Sequence, residues 1–169
     1  LVGLIPGPGK PTGLAINNFT AHLVDELLRL WEGIYMLRTW LFASGRLVRG
    51  ALGPVICDLD AVRALIGMHG VVSSHPCTFC HITYRQVQQR DTSRTWRMRD
   101  LTSYAAAVQQ SANAVNESQR GEYWTATGVR DSPLLRLPYW NPLRWVVIDP
   151  MHNWLLGQLG TQLTDVFGM

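Results

Sequence analysis

The sharpest local motif in the sequence is Cys77-Thr78-Phe79-Cys80. Two thiolates three positions apart can both reach one Zn²⁺ ion, which takes four ligands in a tetrahedral array. No second CxxC pair and no zinc-finger histidine pair is present, so the remaining ligands would come from His75, His81 or His152. A thioredoxin-like redox pair and two buried structural cysteines stay open as alternatives, although the βαβ context of the redox pair is missing.

Three acids stand where a strand is predicted to give way to a helix: Asp58, Asp60 and Asp149. Two carboxylates that meet at a sheet end could hold Mg²⁺ for phosphoryl chemistry, because this ion prefers a few carboxylates plus substrate oxygens. An aspartate in this position is an equally common helix N-cap. For Asp149 capping suffices, since Asp-Pro is typical of a helix start. For Asp58 both interpretations stay open.

The basic residues are unevenly distributed. All but one of the 15 are arginine, and five fall in a short window that holds a single acid, Asp91: Arg85, Arg90, Arg94, Arg97 and Arg99. The planar guanidinium suits phosphate, and Trp96 within the cluster is a candidate for stacking on a base. We expect this segment to contact a DNA backbone without reading sequence; an ordinary solvated face is the alternative.

Length and composition narrow the class of protein. The chain has 169 residues, 47% apolar and 16% charged, which suits one domain with a packed core and excludes wholesale disorder. No apolar run approaches the roughly 20 residues that span a bilayer, so no membrane partner is expected. There is no basic leader or initiator Met, which favours an internal segment of a longer protein. Three cysteines favour a reducing compartment.

The elements expected to position these residues give an α+β fold, predominantly helical. Asn17 and Asn18 are expected to cap a first helix that Gly33 ends. A bent strand over about 47–57 delivers Asp58, and Asp100 caps an amphipathic helix over about 100–119. The run 145–148 is either a second strand or an extended lead-in to a last helix over 151–167. We treat residues 1–169 as a single incomplete domain, divided into 1–67, 68–134 and 135–169.

Several short blocks occur together in one order. They are Ile5-Pro6-Gly7-Pro8, Leu30-Trp31-Glu32-Gly33, Cys57-Asp58-Leu59, Cys77-Thr78-Phe79-Cys80, Leu137-Pro138-Tyr139-Trp140 and Asp149-Pro150-Met151-His152. In this order and spacing the chain resembles the transposases of CACTA-type (En/Spm-like) DNA transposons, in particular their fungal form. The resemblance covers nearly the whole chain.

The resemblance implies a nuclear, Mg²⁺-dependent DNA nuclease and strand transferase with an RNase H-like DDE/D core, interrupted by a helical, zinc-associated insertion. It puts a catalytic, metal-binding role on Asp58 and possible zinc ligation on Cys77, Cys80 and His152. DNA, at the transposon ends, is the implied partner. Assembly into an oligomer through the full-length protein stays open.

The chain also departs from this pattern. Residues 1–57 hold acids only within the first predicted helix, and no further catalytic acid is evident after the Asp149 block. A single carboxylate holds Mg²⁺ too weakly to order it, so the segment alone is expected to bind no metal at Asp58 and to cleave no DNA. Two alternatives remain: a domesticated, non-enzymatic, zinc-stabilised module that binds DNA or protein, and a purely structural helical domain.

Overall fold

The computed structural model describes residues 9, 11, 15–89 and 96–168. Its helices are α1 (Ala15–Glu32), α2 (Leu59–Leu65), α3 (Tyr84–Gln88), α4 (Leu101–Ala112), α5 (Glu117–Thr127), and two segments with wide π-type turns, α6 (Met151–Leu159) and α7 (Gln162–Val166). Its strands are β1 (Ile34–Met36), β2 (Arg46–Val48), β3 (Val55–Cys57) and β4 (Val146–Ile148). The expectation of a mixed α+β chain with more helix than strand is therefore confirmed.

The core lies where α1, α2 and α4 meet the segment that leads to β4. Its buried members are Val24, Val62, Ile66, Met68, Tyr104, Val108, Val129, Leu134, Leu137, Trp140 and Val146. Helix α1 contributes Val24 from its apolar stripe and ends at Gly33, as predicted, where a φ of 113° suits glycine. The predicted cap is wrong, because α1 already includes Asn17 and Asn18. The Asn17 amide instead donates to the Asp131 carbonyl over 3.0 Å.

The strand predicted over 47–57 is in fact two strands that belong to different sheets. Strand β2 pairs antiparallel with β1, whereas β3 pairs parallel with β4 and sets Cys57 opposite Ile148. The intervening residues 49–54 include two glycines and Pro54, which cannot donate to a ladder. The run 145–148 is thus resolved in favour of a strand, and Asp58 follows β3 as expected.

Two aromatic residues hold the loop that leads into β3. The Tyr139 hydroxyl accepts a hydrogen bond from the Leu52 amide at 3.1 Å, and Trp140 Nε1 donates to the Gly53 carbonyl at 3.2 Å. Tyr139 also packs on Trp31 of α1, with 4.3 Å between ring centroids. The Pro-Tyr-Trp block therefore ties β3 to the core.

The helix predicted over about 100–119 is two helices. Asp100 caps α4 as expected, with its carboxylate accepting from the Ser103 amide at 2.8 Å. The chain then leaves the helix after Ala112, and the Asn116 side chain caps α5. Gly121 lies inside α5, which ends at Gly128 with a φ of 69°. The two helices lie against each other, which one continuous helix would not allow.

The long segment between α2 and β4 begins and ends at one place beside α2. Met68 and Val129 form an antiparallel bridge, and the His69 amide donates to the Gly128 carbonyl at 3.0 Å. The Arg130 amide in turn donates to the Gly67 carbonyl at 2.8 Å. Residues 69–128 therefore form an excursion whose two ends are adjacent.

The last helical region lies where it was predicted, but its apolar side chains are not buried. Trp154, Leu156 and Phe167 are each at least 60% exposed. Along the described residues, no helix is both long enough and apolar enough to cross a membrane. The Ile5-Pro6-Gly7-Pro8 block lies outside the described residues.

Candidate functional site

Two carboxylates follow the paired strands β3 and β4 at the same edge. Because the strands run parallel and Cys57 is opposite Ile148, the next residues, Asp58 and Asp149, both stand at the carboxyl end of the pair. The Asp149 amide extends the ladder by donating to the Cys57 carbonyl at 3.0 Å. Burial is the main cause that raises the pKa of the Cys57 thiol, and the charges of both aspartates raise it further.

Asp58 acts as the N-cap of α2. Its Oδ1 accepts from the Ala61 amide at 2.8 Å, while its carbonyl accepts from the Val62 amide at 2.9 Å. The side chain is exposed, and its Oδ2 makes no hydrogen bond with any described residue. Capping therefore uses one carboxylate oxygen and leaves the other open to solvent. Asp60 lies in the first turn of α2.

Asp149 is held more tightly than Asp58. Its Oδ1 accepts from the Met151 amide at 2.9 Å, and its Oδ2 lies 2.5 Å from His152 Nδ1. These two hydrogen bonds, that of His152 first, lower the pKa of the Asp149 carboxyl below its usual 3.8. The capping interpretation is therefore confirmed.

The sequence suggested that two strand-end carboxylates could meet, but capping sufficed for Asp149, so Asp149 was not identified as the neighbour of Asp58. A signal for this was present in the sequence, since Val55-Ile56-Cys57-Asp58 and Val146-Val147-Ile148-Asp149 share one pattern of three apolar residues and an aspartate.

The two cysteines of the CxxC motif are free and lie on one tight turn. The Phe79 amide donates to Cys77 Sγ at 3.3 Å, and Cys80 is buried. Burial raises the pKa of the Cys80 thiol; the adjoining Cys77 thiol raises it as well, while the Ile82 amide lowers it. The pair is thus compact, but Cys80 is a poor nucleophile unless a cation stabilises its thiolate.

Two histidines line a cavity of about 230 Å³ beside the CxxC turn, together with Arg99. Burial lowers the pKa of both His75 and His81, and the Arg99 charge lowers each further. Both rings therefore favour the neutral form, which is the form that binds a metal. His81 Nε2 is buried and finds no hydrogen-bond partner among the described residues.

His152, the third predicted zinc ligand, is paired with Asp149 and lines a different cleft, beside Trp154 and Gln158. Over the described residues, no group of three or more histidine, cysteine or acidic side chains is gathered closely enough to hold a metal ion. The two thiols are therefore together, but a complete zinc-binding set around them is not.

The arginine cluster separates into exposed and inward-facing members. Arg85 and Arg97 are exposed, and Arg97 lies 4.0 Å from the Asp100 carboxylate. Arg99 turns inward, and its Nε donates to the Cys77 carbonyl at 3.4 Å. Trp96 is 36% exposed. Arg90 and Arg94 lie outside the described residues. The part of the predicted DNA-contacting surface that is described thus consists of Arg85, Arg97 and Trp96.

No protein-family model, curated protein or solved structure matches the chain. The strand edge, the CxxC turn and the exposed arginines are therefore the features that indicate a function.

Proposed function

We propose that the chain is part of the catalytic domain of a CACTA-type DNA transposase, which cleaves DNA strands and joins them with the help of Mg²⁺. The observation that carries the proposal is the juxtaposition of Asp58 and Asp149 at the carboxyl edge of two parallel strands. Ligands of parallel α/β sheets commonly bind at this edge. The order of the sequence blocks is the reason for proposing this family, and the two carboxylates at the strand edge are where its metal-dependent chemistry would take place.

The donors at this edge fit Mg²⁺. The ion prefers one or two carboxylates and keeps several waters, which substrate phosphate oxygens can replace. Asp58 offers a free Oδ2, and the lowered pKa keeps Asp149 ionised. When bound, the ion would stabilise the attacking and leaving oxygens of a phosphodiester. His152 orients the Asp149 carboxylate through its Nδ1 contact. Asp58 would be the catalytic residue, with Asp149 beside it.

The excursion formed by residues 69–128 supports the same proposal. A transposase core interrupted by an inserted region requires an insertion whose ends are close together, so that the core can close around it. The bridge between Met68 and Val129 has this property. The insertion also carries the CxxC motif and the helices α3, α4 and α5.

Zinc at Cys77 and Cys80 forms part of the proposal. The two thiols adjoin, the neighbouring imidazoles favour their neutral form, and His81 Nε2 is an orphaned buried nitrogen. This chemistry suits Zn²⁺, which would stabilise the insertion rather than react. DNA is the proposed partner through Arg85 and Arg97, and the nucleus is the proposed location.

A non-enzymatic alternative is favoured by the capping contacts. Both aspartates already satisfy backbone amides, Asp58 that of Ala61 and Asp149 that of Met151. Capping alone would account for both residues in a domesticated module that binds DNA or protein. The alternative predicts that neither carboxylate is needed for anything except folding.

Cleavage and joining assays on the transposase that contains this chain separate the two proposals. We expect Asp58→Asn and Asp149→Asn each to abolish both reactions while leaving DNA binding intact, because asparagine still caps a helix but binds Mg²⁺ poorly. Asp60→Asn is the matched control, two residues further along in the first turn of α2, and should remain active. Activity retained by both Asp58→Asn and Asp149→Asn would exclude the enzymatic proposal.

A further inference from the structure

A cleft of about 520 Å³ lies between α2 and α5. This volume is in the range of small-molecule sites. Its charged lining consists of Asp60, Arg63, Glu117, Arg120 and Arg130. Neither Asp58 nor Asp149 lines it, so an inference about the cleft does not depend on the proposed function.

Two of the arginines that line the cleft are buried. Arg63 is 5% exposed and Arg130 is 7% exposed. Neither forms an ion pair with a described carboxylate; Arg63 donates to the His69 and Pro76 carbonyls, and Arg130 to the Ala64 carbonyl. The three arginines and the two carboxylates of the lining leave one net positive charge in the cleft, which favours an anion.

One nitrogen of the Arg63 guanidinium has no hydrogen-bond partner among the described residues. Arg63 Nε is fully buried, although the other two nitrogens of the same guanidinium are bonded to carbonyls. Arg120, 35% exposed, adds a third cation at the mouth of the cleft, where it pairs with Glu117 at 2.6 Å. A bound phosphate could replace Glu117 as the partner of Arg120, because ion pairs exposed on the surface contribute little to the free energy of folding.

The rest of the lining suits the other parts of a nucleotide. Ala64, Met68 and Trp124 form an apolar wall on which a planar base could lie. The carboxylates of Asp60 and Glu117 accept hydrogen bonds, so they could bind sugar hydroxyls or the amino group of a base. Arg130 lies 5.5 Å from the centre of the Trp124 ring, and the His69 ring packs on the same indole with 3.7 Å between ring centres.

We propose that the cleft between α2 and α5 binds a nucleoside monophosphate unit, with its phosphate on Arg120 beside Arg63 and Arg130, and its base against Trp124. The unit is either a free nucleotide or one nucleotide of a single strand, since both present the same phosphate, sugar and base.

Titration of the chain with dAMP, with a single-stranded oligonucleotide and with inorganic phosphate tests the proposal. We expect dAMP or the oligonucleotide to quench tryptophan fluorescence, and Trp124→Phe to remove the quenching. Arg120→Gln should weaken binding about tenfold, the loss of one charge-assisted hydrogen bond. Arg29→Gln is the control, because Arg29 forms the same type of helical pair, with Glu26, on α1.

The three ligands also separate the possible sources. Binding of dAMP that depends on Arg120 and Trp124 assigns the cleft to a free nucleotide, and binding of the oligonucleotide alone with the same dependence assigns it to a single strand. Three results would overturn the proposal: inorganic phosphate that binds as tightly as dAMP, affinity that Arg120→Gln leaves unchanged, or no binding of either nucleotide ligand. None of these results bears on cleavage at Asp58.

Discussion

The strand edge and the CxxC turn hold their reactive groups together in opposite ways. Asp58 and Asp149 lie far apart in the sequence and meet only because β3 pairs with β4. Cys77 and Cys80 are three positions apart on one turn, which the nearby 97–99 segment holds through the Arg99 amide, a donor to the Phe79 carbonyl at 2.8 Å, and a bridge between Cys80 and Met98. The edge must therefore depend on the core that aligns its strands, whereas the turn depends on the segment 97–99 and on any metal it binds.

The largest expected effect is on the free energy of unfolding, when the Trp140 contacts that hold the loop before β3 are removed. Trp140→Ala removes a buried side chain, 4% exposed, and its hydrogen bond to the Gly53 carbonyl ahead of β3. We expect a loss of about 3–5 kcal/mol in the free energy of unfolding, measured by urea denaturation. Trp154→Ala, at a site 60% exposed, should change it by less than about 0.5 kcal/mol. Equal effects of the two substitutions would mean that the Trp140 contacts do not support the edge.

The second prediction concerns the turn. Cys77→Ser should release zinc from the protein and speed hydrogen exchange in residues 68–89, because structural zinc contributes folding energy directly. The β3 and β4 amides should keep their protection. Cys57→Ser, which changes the cysteine outside the motif, should keep the metal. Unchanged metal content in Cys77→Ser, measured by elemental analysis, would remove the zinc proposal.

The same contrast explains what the sequence could predict. Local signals identified the α1 stripe, the Gly33 stop, the Asp100 cap and the strand before Asp58, since each depends on neighbouring residues. The pairing of β3 with β4 could not be predicted from the sequence. Parallel pairing joins segments that are distant in the chain, and strands of three residues are too short to show a clear alternation of apolar and polar residues. The break at 113–116 was missed because alanine and valine continue the helical period, while Asn116 supplies a cap only when the chain turns.

For the arginine segment we expect a moderate effect on DNA binding. Arg85 and Arg97 are exposed and free to reach phosphates, whereas Arg99 faces Cys77. Replacing Arg85 and Arg97 with glutamine should weaken binding evenly across sequences and reduce the salt slope by about 2, since each phosphate contact contributes roughly 0.9. Arg29→Gln again serves as the control. An unchanged slope would identify the segment as a solvated face.

The smallest expected effect is electrostatic. His152→Asn removes the main cause that lowers the Asp149 pKa, so that pKa should rise toward 3.8, as measured by carboxyl NMR titration. A carboxyl with a lowered pKa contributes stability above its unfolded value, and this contribution is lost as the pH falls through the folded value. As the pH falls, the stability that Asp149 contributes should therefore be smaller in the variant than in the parent, and its loss should be complete at a higher pH. An unaltered Asp149 titration would show that His152 does not hold that carboxylate.

The central claim is that Asp58 and Asp149 together form a divalent-cation site at one sheet edge. Mn²⁺, a paramagnetic substitute for Mg²⁺, tests it most directly in NMR spectra of this chain. From the sequence, a single carboxylate at Asp58 was expected to bind no metal; because the edge holds two carboxylates, the pair should bind Mn²⁺ weakly but measurably, and the amides of residues 57–61 and 149–152 should broaden together. Asp58→Asn and Asp149→Asn should each abolish the broadening at both segments, while Asp60→Asn should leave it unchanged. Broadening that follows Asp60, or that is confined to one of the two segments, would contradict the account.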